Sequence, residues 1–261
     1  MDAVLYDERD AVATITLNRP DSFNSVDTAL FKELMSALET ATAGPARAIV
    51  LTGAGRAFCA GVDLKELEAG YRAGDTPQLG RVVEDTFNPL LRTLMAIPKP
   101  VIAAVNGPSA GAGMGLALAA DLRIMSSSAS FMMAFINIGL VPDTGTSWLL
   151  PALVGYGRAV ELTMSGRKIA ADEALAIGLV NRVVDPDALA AEAHAWAAKL
   201  AAGPTIAYGR TKAMLRRAVE TDLATALDLE RDEQQAAGRT ADHIEGVQAF
   251  LAKRPPVYQG R

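Results

Sequence analysis

Cysteine and histidine are nearly missing from this chain: its 261 residues include one cysteine, Cys59, and two histidines, His194 and His243. A single cysteine excludes an internal disulfide, and so few His and Cys residues leave no zinc-type ligand cluster. An excess of positive charge is also lacking. Thirty acidic against 25 basic residues give a net charge of -5, so no global field collects nucleic acid, and an anionic ligand must be held by local bases or backbone dipoles. The acidic start MDAVLYDERD lacks the basic-then-apolar order of a secretory leader, and a cytoplasmic location is expected. Unbroken membrane-length apolar runs are missing too. The uncharged stretches 101–120 and 124–142 are interrupted by Asn106-Gly107-Pro108 and by serines, so they read as buried strands and helices. What is present is a half-hydrophobic composition with 21% charged residues, enough for a substantial core.

Periodicity predicts an α/β architecture. Val12 to Leu17 alternates β-branched residues up to the turn Asn18-Arg19-Pro20-Asp21. From Asp27, Leu30, Phe31, Leu34, Met35 and Leu38 recur at helical spacing, with Asp27 available as cap and Gly44-Pro45 as stop. Short buried strands are expected over 48–52 and 100–105, with a helix near 114–120. The chain beyond Gly155 reads as mostly helical, including 170–176, 189–201 and 223–235, with one extended piece over 180–184. Turns that follow successive strands face a common site, which points to 53–63 and 106–115 as binding loops.

Three chemistries compete for those loops. Gly107-Pro108-Ser109-Ala110-Gly111 matches the G-x-S-x-G of a hydrolase nucleophile elbow. A serine nucleophile needs a histidine base, yet His194 and His243 both fall in helical runs. A dinucleotide site would continue Gly111-x-Gly113 with glycine at 116, where Leu116 stands, and no phosphate-binding G-x-x-x-x-G-K-[ST] occurs. Glycine turns can also expose unpaired N–H groups to one carbonyl oxygen, forming an oxyanion hole at a helix start. Plain tight turns remain the alternative. For proton transfer, Asp143 lies in uncharged surroundings where its pKa could rise; the other reading is that Asp143 or Thr144 caps the next helix. Asp121, at the end of an apolar run, reads as structural.

At these residues the chain resembles the crotonase superfamily, the enoyl-CoA hydratases and isomerases. The resemblance rests on Asn18-Arg19-Pro20, Leu51-Thr52-Gly53, the run Ala57 to Leu64, Asn106 through Gly115, and Ile138 to Asp143, in order and spacing. It implies a spiral of ββα units over residues 1–195, then a helical region, 196–261, that packs in trimers or hexamers. It further implies an acyl-CoA substrate, no separate cofactor and no metal. The oxyanion amides carry over to Val62 and Ala112. CoA contacts carry over to Arg56, Ala60 and Lys65, and to Phe250 and Lys253 reaching a neighbouring subunit. Phe135 is a candidate acyl-pocket residue, and Cys59 a small buried one.

The departures bear on the reaction. Where the family's hydratases have two glutamates, this chain has Gly115 and Phe135; where its aromatic-CoA dehalogenases have a histidine, it has Asn88. Asp143 stands where the enoyl-CoA isomerases and the ring-epoxide isomerases of phenylacetate degradation place their acid, and the stretch Ser130 to Pro151 is most similar to that second branch. The resemblance therefore implies an isomerase with Asp143 as proton shuttle. Enoyl-CoA hydration and noncatalytic acyl-CoA binding are the alternatives.

Overall fold

A computed structural model describes residues 2–72, 74 and 78–261. The chain opens with the hairpin β1 (Val4–Arg9) and β2 (Val12–Leu17), turned by Asp10 and Ala11 at φ 53° and 57°. Helix α1 (Thr28–Ala43) begins where expected: the Asp27 carboxylate accepts from the Leu30 N–H at 2.8 Å. Its buried side chains, Leu30, Leu34, Ala37, Leu38 and Ala41, repeat every three to four residues and face the sheet. After β3 (Ala48–Gly53) come α2 (Leu64–Arg72), α3 (Leu79–Val82) and α4 (Asn88–Ala96), the last two joined by a π-helical turn over Val83–Phe87.

Next are β4 (Val101–Val105), the short β5 (Ser109–Ala110), α5 (Ala112–Ala119), β6 (Leu122–Ser126) and β7 (Ser130–Met132). A 3-10 turn over Ala134–Ile138 leads to α6 (Thr146–Val154) and α7 (Tyr156–Ser165), then β8 (Lys168–Ala170), α8 (Ala171–Ala176) and β9 (Arg182–Val184). Four helices finish the chain: α9 (Leu189–Ala201), α10 (Thr205–Ala218), α11 (Leu223–Ala237) and α12 (Ala241–Leu251).

The main sheet runs β1-β2-β3-β4-β6-β9, with β1 antiparallel and all later neighbours parallel. A second sheet, β5-β7-β8, lies beside it. The period of two along each strand separates two cores. Ala13, Ile15, Leu17, Ile49, Leu51, Ala103 and Val105 join the large core with α1, α4 and α5, whereas Val12, Val50, Ile102 and Ile124 face α9. The uncharged stretch 101–120 is thus interior strand and helix, whereas 124–142 is interior only through its strands: Ile136, Ile138 and Val141 are exposed on the turn that follows, because its serines and Gly139 break the run. Among the described residues no helix is long and apolar enough to cross a membrane.

The architecture is the expected α/β core followed by a helical C-terminal region. The expected division after residue 195 falls within α9, a continuous helix whose Leu189, Ala193, Ala197 and Ala201 cover the sheet. Helix α10 is anchored by Asp121, whose carboxylate accepts from Lys212 at 2.5 Å, Arg216 at 2.9 Å and the Val101 N–H at 2.9 Å. Asp121 is accordingly structural. At the end of α5, the buried Arg123 guanidinium donates to the carbonyls of Leu118, Ala120 and Leu179, and Arg216 donates to that of Ala119.

Candidate active site

The first turn leaves β3 and is knitted by two asparagines. Asn24 donates to the carbonyls of Ala54 and Ala57 and accepts from the Arg19 N–H. Asn106, from the second turn, accepts from the Gly53 N–H and donates to the carbonyls of Gly55 and Ala57. The exit of the turn is fixed by Arg19, which pairs with Asp27 at 3.0 Å and with Asp63 at 2.9 Å. Burial pushes the Asp63 carboxyl up, but hydrogen bonds from the Lys65 N–H and from Arg19 outweigh it and hold its pKa below the ordinary value. These contacts give Asn24, Asn106, Arg19 and Asp63 a shared task, holding the turn that carries Val62.

The two turns meet at Gly61 and Gly113. At Gly61, φ is +91°, and a Cβ there would lie 3.0 Å from the Ala110 carbonyl oxygen and 3.3 Å from the Ala112 nitrogen. At Gly113 a Cβ would lie 2.1 Å from the Cys59 carbonyl oxygen. Backbone bonds then use several amides of the junction. Val26 donates to the Gly61 carbonyl and Asp63 to the Val26 carbonyl; Ala110 donates to Cys59 and Gly111 to Met132. Among the described residues, the N–H groups of Val62 and Ala112 have no acceptor. Ala112 opens α5, so the start of the helix offers it none and adds a positive dipole end.

Asp143 approaches this junction from the loop before α6. The N-cap of α6 is Gly145, at φ +67°, with no side-chain bond; the Asp143 main-chain carbonyl, not its carboxylate, accepts from the N–H and hydroxyl of Thr146. Neither Asp143 nor Thr144 caps the helix, because the turn is closed by main chain. The Asp143 carboxylate accepts one hydrogen bond, from the Thr144 hydroxyl at 2.6 Å. Burial pushes its pKa up, and the Thr144 bond opposes that shift only in part. Thr144 itself rests on Gly115, one turn into α5 from Ala112. Phe135 is buried, and its ring edge packs over Gly111.

A profile of the enoyl-CoA hydratase/isomerase family matches residues 7–261. The chain belongs to that family. Among its relatives, "1,2-epoxyphenylacetyl-CoA isomerase" of Escherichia coli K12 is 45% identical over 262 residues, covering 100% of both chains. "Probable enoyl-CoA hydratase" of Rhodobacter capsulatus is 44% identical over 99% of this chain and 98% of its own. The fold is shared with the crystal structure of an enoyl-CoA hydratase from Bacillus anthracis, at a TM-score of 0.92 and 37% identity over 99% of this chain and 100% of that one.

The remaining expected residues of this hydratase/isomerase chain divide into two groups. Arg56 is exposed and stacks on the Phe23 ring at 4.2 Å, and the exposed Ala60 donates its N–H to the Phe23 carbonyl, so both sit on one surface beside the first turn. Lys65 is exposed at the start of α2 and, with Leu64, Glu68, Tyr71, Ile138 and Leu140, lines a cavity of about 420 Å³. That cavity lies between the helix following Val62 and the loop leading to Asp143. Phe250 and Lys253 are not in this group. Phe250 is 83% exposed on α12 and lines a separate cavity with His243 and Tyr258.

The competing chemistries find no support. The Ser109 hydroxyl is buried without a partner, the His194 ring pairs with Asp10 at 3.0 Å, and His243 lies on α12, where it lines a separate cavity with Phe250 and Tyr258. No triad forms among the described residues. Burial pushes the Cys59 thiol up to about 12, which leaves it unreactive. Asn88 donates its amide to Glu84 at 2.6 Å and cannot serve as a base. Among the described residues no group of three His, Cys, Asp or Glu could hold a metal.

Proposed function

We propose that the chain is an acyl-CoA isomerase in which the N–H groups of Val62 and Ala112 hold the thioester oxygen and Asp143 moves the proton. One observation carries the reading. A partly desolvated carboxylate without a cationic partner is carried by a loop whose Thr144 packs on Gly115, one turn into the helix that the acceptor-free Ala112 amide opens, and Gly115 and Phe135 supply no second proton carrier. With a 3-enoyl thioester, the carboxylate takes a proton from C2, the C2–H electron pair moves toward the thioester oxygen, and the two amides stabilise the dienolate. Returning the proton at C4 leaves the double bond between C2 and C3. Nothing is oxidised or reduced, so the step calls for no cofactor beyond the CoA of the substrate.

The ring 1,2-epoxide of phenylacetyl-CoA is proposed as the preferred substrate, supported by the name of the Escherichia coli relative. Arg56, Ala60 and Lys65 form the proposed CoA surface next to the first turn. Phe250 and Lys253 would complete that surface from a neighbouring copy in a homotrimer or hexamer, supported by the apolar side chains that α10 to α12 leave exposed, among them Leu215, Val219, Leu223, Leu227 and Leu251. A cytoplasmic setting belongs to the same proposal.

The test offers the protein 3-enoyl-CoA, 2-enoyl-CoA and the ring epoxide in parallel with Asp143→Asn. Isomerisation of the first or third, lost in Asp143→Asn, is the expected result. Hydration of 2-enoyl-CoA that survives the substitution would overturn the mechanism in favour of a hydratase. Binding of all three thioesters without turnover would leave a binding protein.

A further inference from the structure

Thr144 occupies a position for which its side chain is poorly suited. Its φ is +50°, in the left-handed region where β-branched residues are outliers, although the adjacent Gly145 and nearby Gly139 meet similar φ values with glycine. It is 1% exposed, so its hydroxyl has no water to turn to. That hydroxyl donates to Oδ1 of Asp143 at 2.6 Å, and Oδ2 has no hydrogen-bond partner among the described residues. The room for this arrangement comes from across the helix. A Cβ at position 115 would lie 2.7 Å from the Thr144 carbonyl oxygen and 2.9 Å from both its Cβ and Cγ2.

Resting on the isomerase reading above, we infer that Thr144 is a positioning residue: its hydroxyl holds Oδ1 of Asp143, Oδ2 takes and returns the proton, and Gly115 provides the space that Thr144 fills. A strained threonine is retained because two properties are needed at once. A glycine there would relieve the backbone but lose the hydroxyl, and an alanine at 115 would push the hydroxyl away from the carboxylate.

Few charged groups surround this hydrogen bond: Lys65, Glu68 and Tyr71 of α2 line the cavity beside Ile138 and Leu140 of the loop leading to Asp143, and none of them bonds to its carboxylate. Helices α5 and α6 and the turn Ala134–Ile138 contain no ionisable residue. Leu91 of α4 touches the loop at Gly145, and the charged Arg92 beside it pairs with Glu84 at 3.5 Å. Helix α7, packed on α6, carries Tyr156, Arg158 and Glu161, the last paired with Arg167 at 2.7 Å. Charge-assisted bonds of the Thr144–Asp143 type are shorter and stronger than neutral ones, so removing this donor acts directly on Asp143.

The test measures kcat and the pH profile of kcat/KM on a 3-enoyl-CoA thioester for Thr144→Val, Thr144→Ser, Gly115→Ala and Asp143→Asn. Thr144→Val keeps the shape and removes the hydroxyl. It is expected to lose about tenfold in kcat and to move the acid limb of the profile to higher pH, because the ionised base has lost its donor. Thr144→Ser should restore both. Gly115→Ala should displace the limb in the same direction without adding a titrating group. If Thr144→Val does not fold, Thr144→Ala removes the same donor with no new contact and is read in the same way. A Thr144→Val or Thr144→Ala limb at the parental position, with Asp143→Asn inactive, overturns the positioning role alone. An active Asp143→Asn overturns the isomerase reading beneath it.

Discussion

At Gly113 one added methyl group would lie 2.1 Å from the Cys59 carbonyl oxygen, main chain against main chain, whereas the Asp143 carboxylate is held by a single hydroxyl. The oxyanion half of the candidate site and its proton half are thus built differently. In the first half the donors are main chain and the flanking Gly111 and Asp63 amides are already bonded, so side-chain identity at Val62 and Ala112 matters little and close approach at Gly61 and Gly113 matters greatly. In the second, burial and one donor tune a carboxylate, so side-chain identity at 143 and 144 is decisive.

Gly113→Ala tests the first half most severely. The added Cβ meets main chain that cannot rotate away, so a destabilisation of about 3 kcal/mol or more is expected in denaturant unfolding, with loss of turnover. A parental unfolding midpoint would show that this junction is not clamped by main chain. Asp143→Asn should separate the halves. Turnover should fall by about 10²- to 10⁴-fold, while thioester binding, followed by calorimetry, stays close to the parent because the amides are intact.

The pH dependence follows from the raised pKa of Asp143. The native state holds this proton more tightly than the unfolded chain does, so Asp143 lowers stability as pH rises from the ordinary aspartate value, 3.8, through its raised native value, and the penalty is fully present above it. Asp143→Asn removes the penalty and should melt no lower than the parent at neutral pH. Activity runs the other way: the base must be ionised, so turnover falls as pH drops through the raised value. A titration of rate and melting temperature against pH checks both signs. The smallest effect is expected for Ala112→Gly. Its backbone still donates, so turnover should stay within about threefold, and stability should drop by about 1 kcal/mol from glycine's greater unfolded freedom. A hundredfold loss would mean that the Ala112 methyl group does more than fill space.

Much of this organisation was legible in the chain. Strands 12–17 and 48–53 alternate or run apolar because both faces are covered, and Asp27 announces α1 by its capping chemistry. The strand Val4–Arg9 is hidden because it is an edge, with only Val4 buried and charged residues at 7 to 9. Asp143 could be singled out as an isolated acid, but the choice between capping and proton transfer depended on the main-chain geometry of Thr144 to Thr146, which local sequence does not specify. The meeting of Gly61 with Ala112 joins chain segments about fifty residues apart; that their loops share a site followed from the strand order, but which residues meet there was visible beforehand only through family resemblance. Arg19, Asn24 and Asn106 acquire their roles from the same long-range contacts. Thr144 was the least visible, since its task depends on an absence of side chain at Gly115.

Arg123 and Arg216 together take the carbonyls of Leu118, Ala119 and Ala120. Helix α5 is eight residues long, a rod of about 12 Å, and these guanidinium groups grip it by the tail. The proposed thioester site lies at the other end of a lever whose pivot is already locked. On the proposed mechanism the Ala112 amide is therefore aimed before a thioester arrives, and the cost of alignment falls on folding, once, and not on each catalytic cycle.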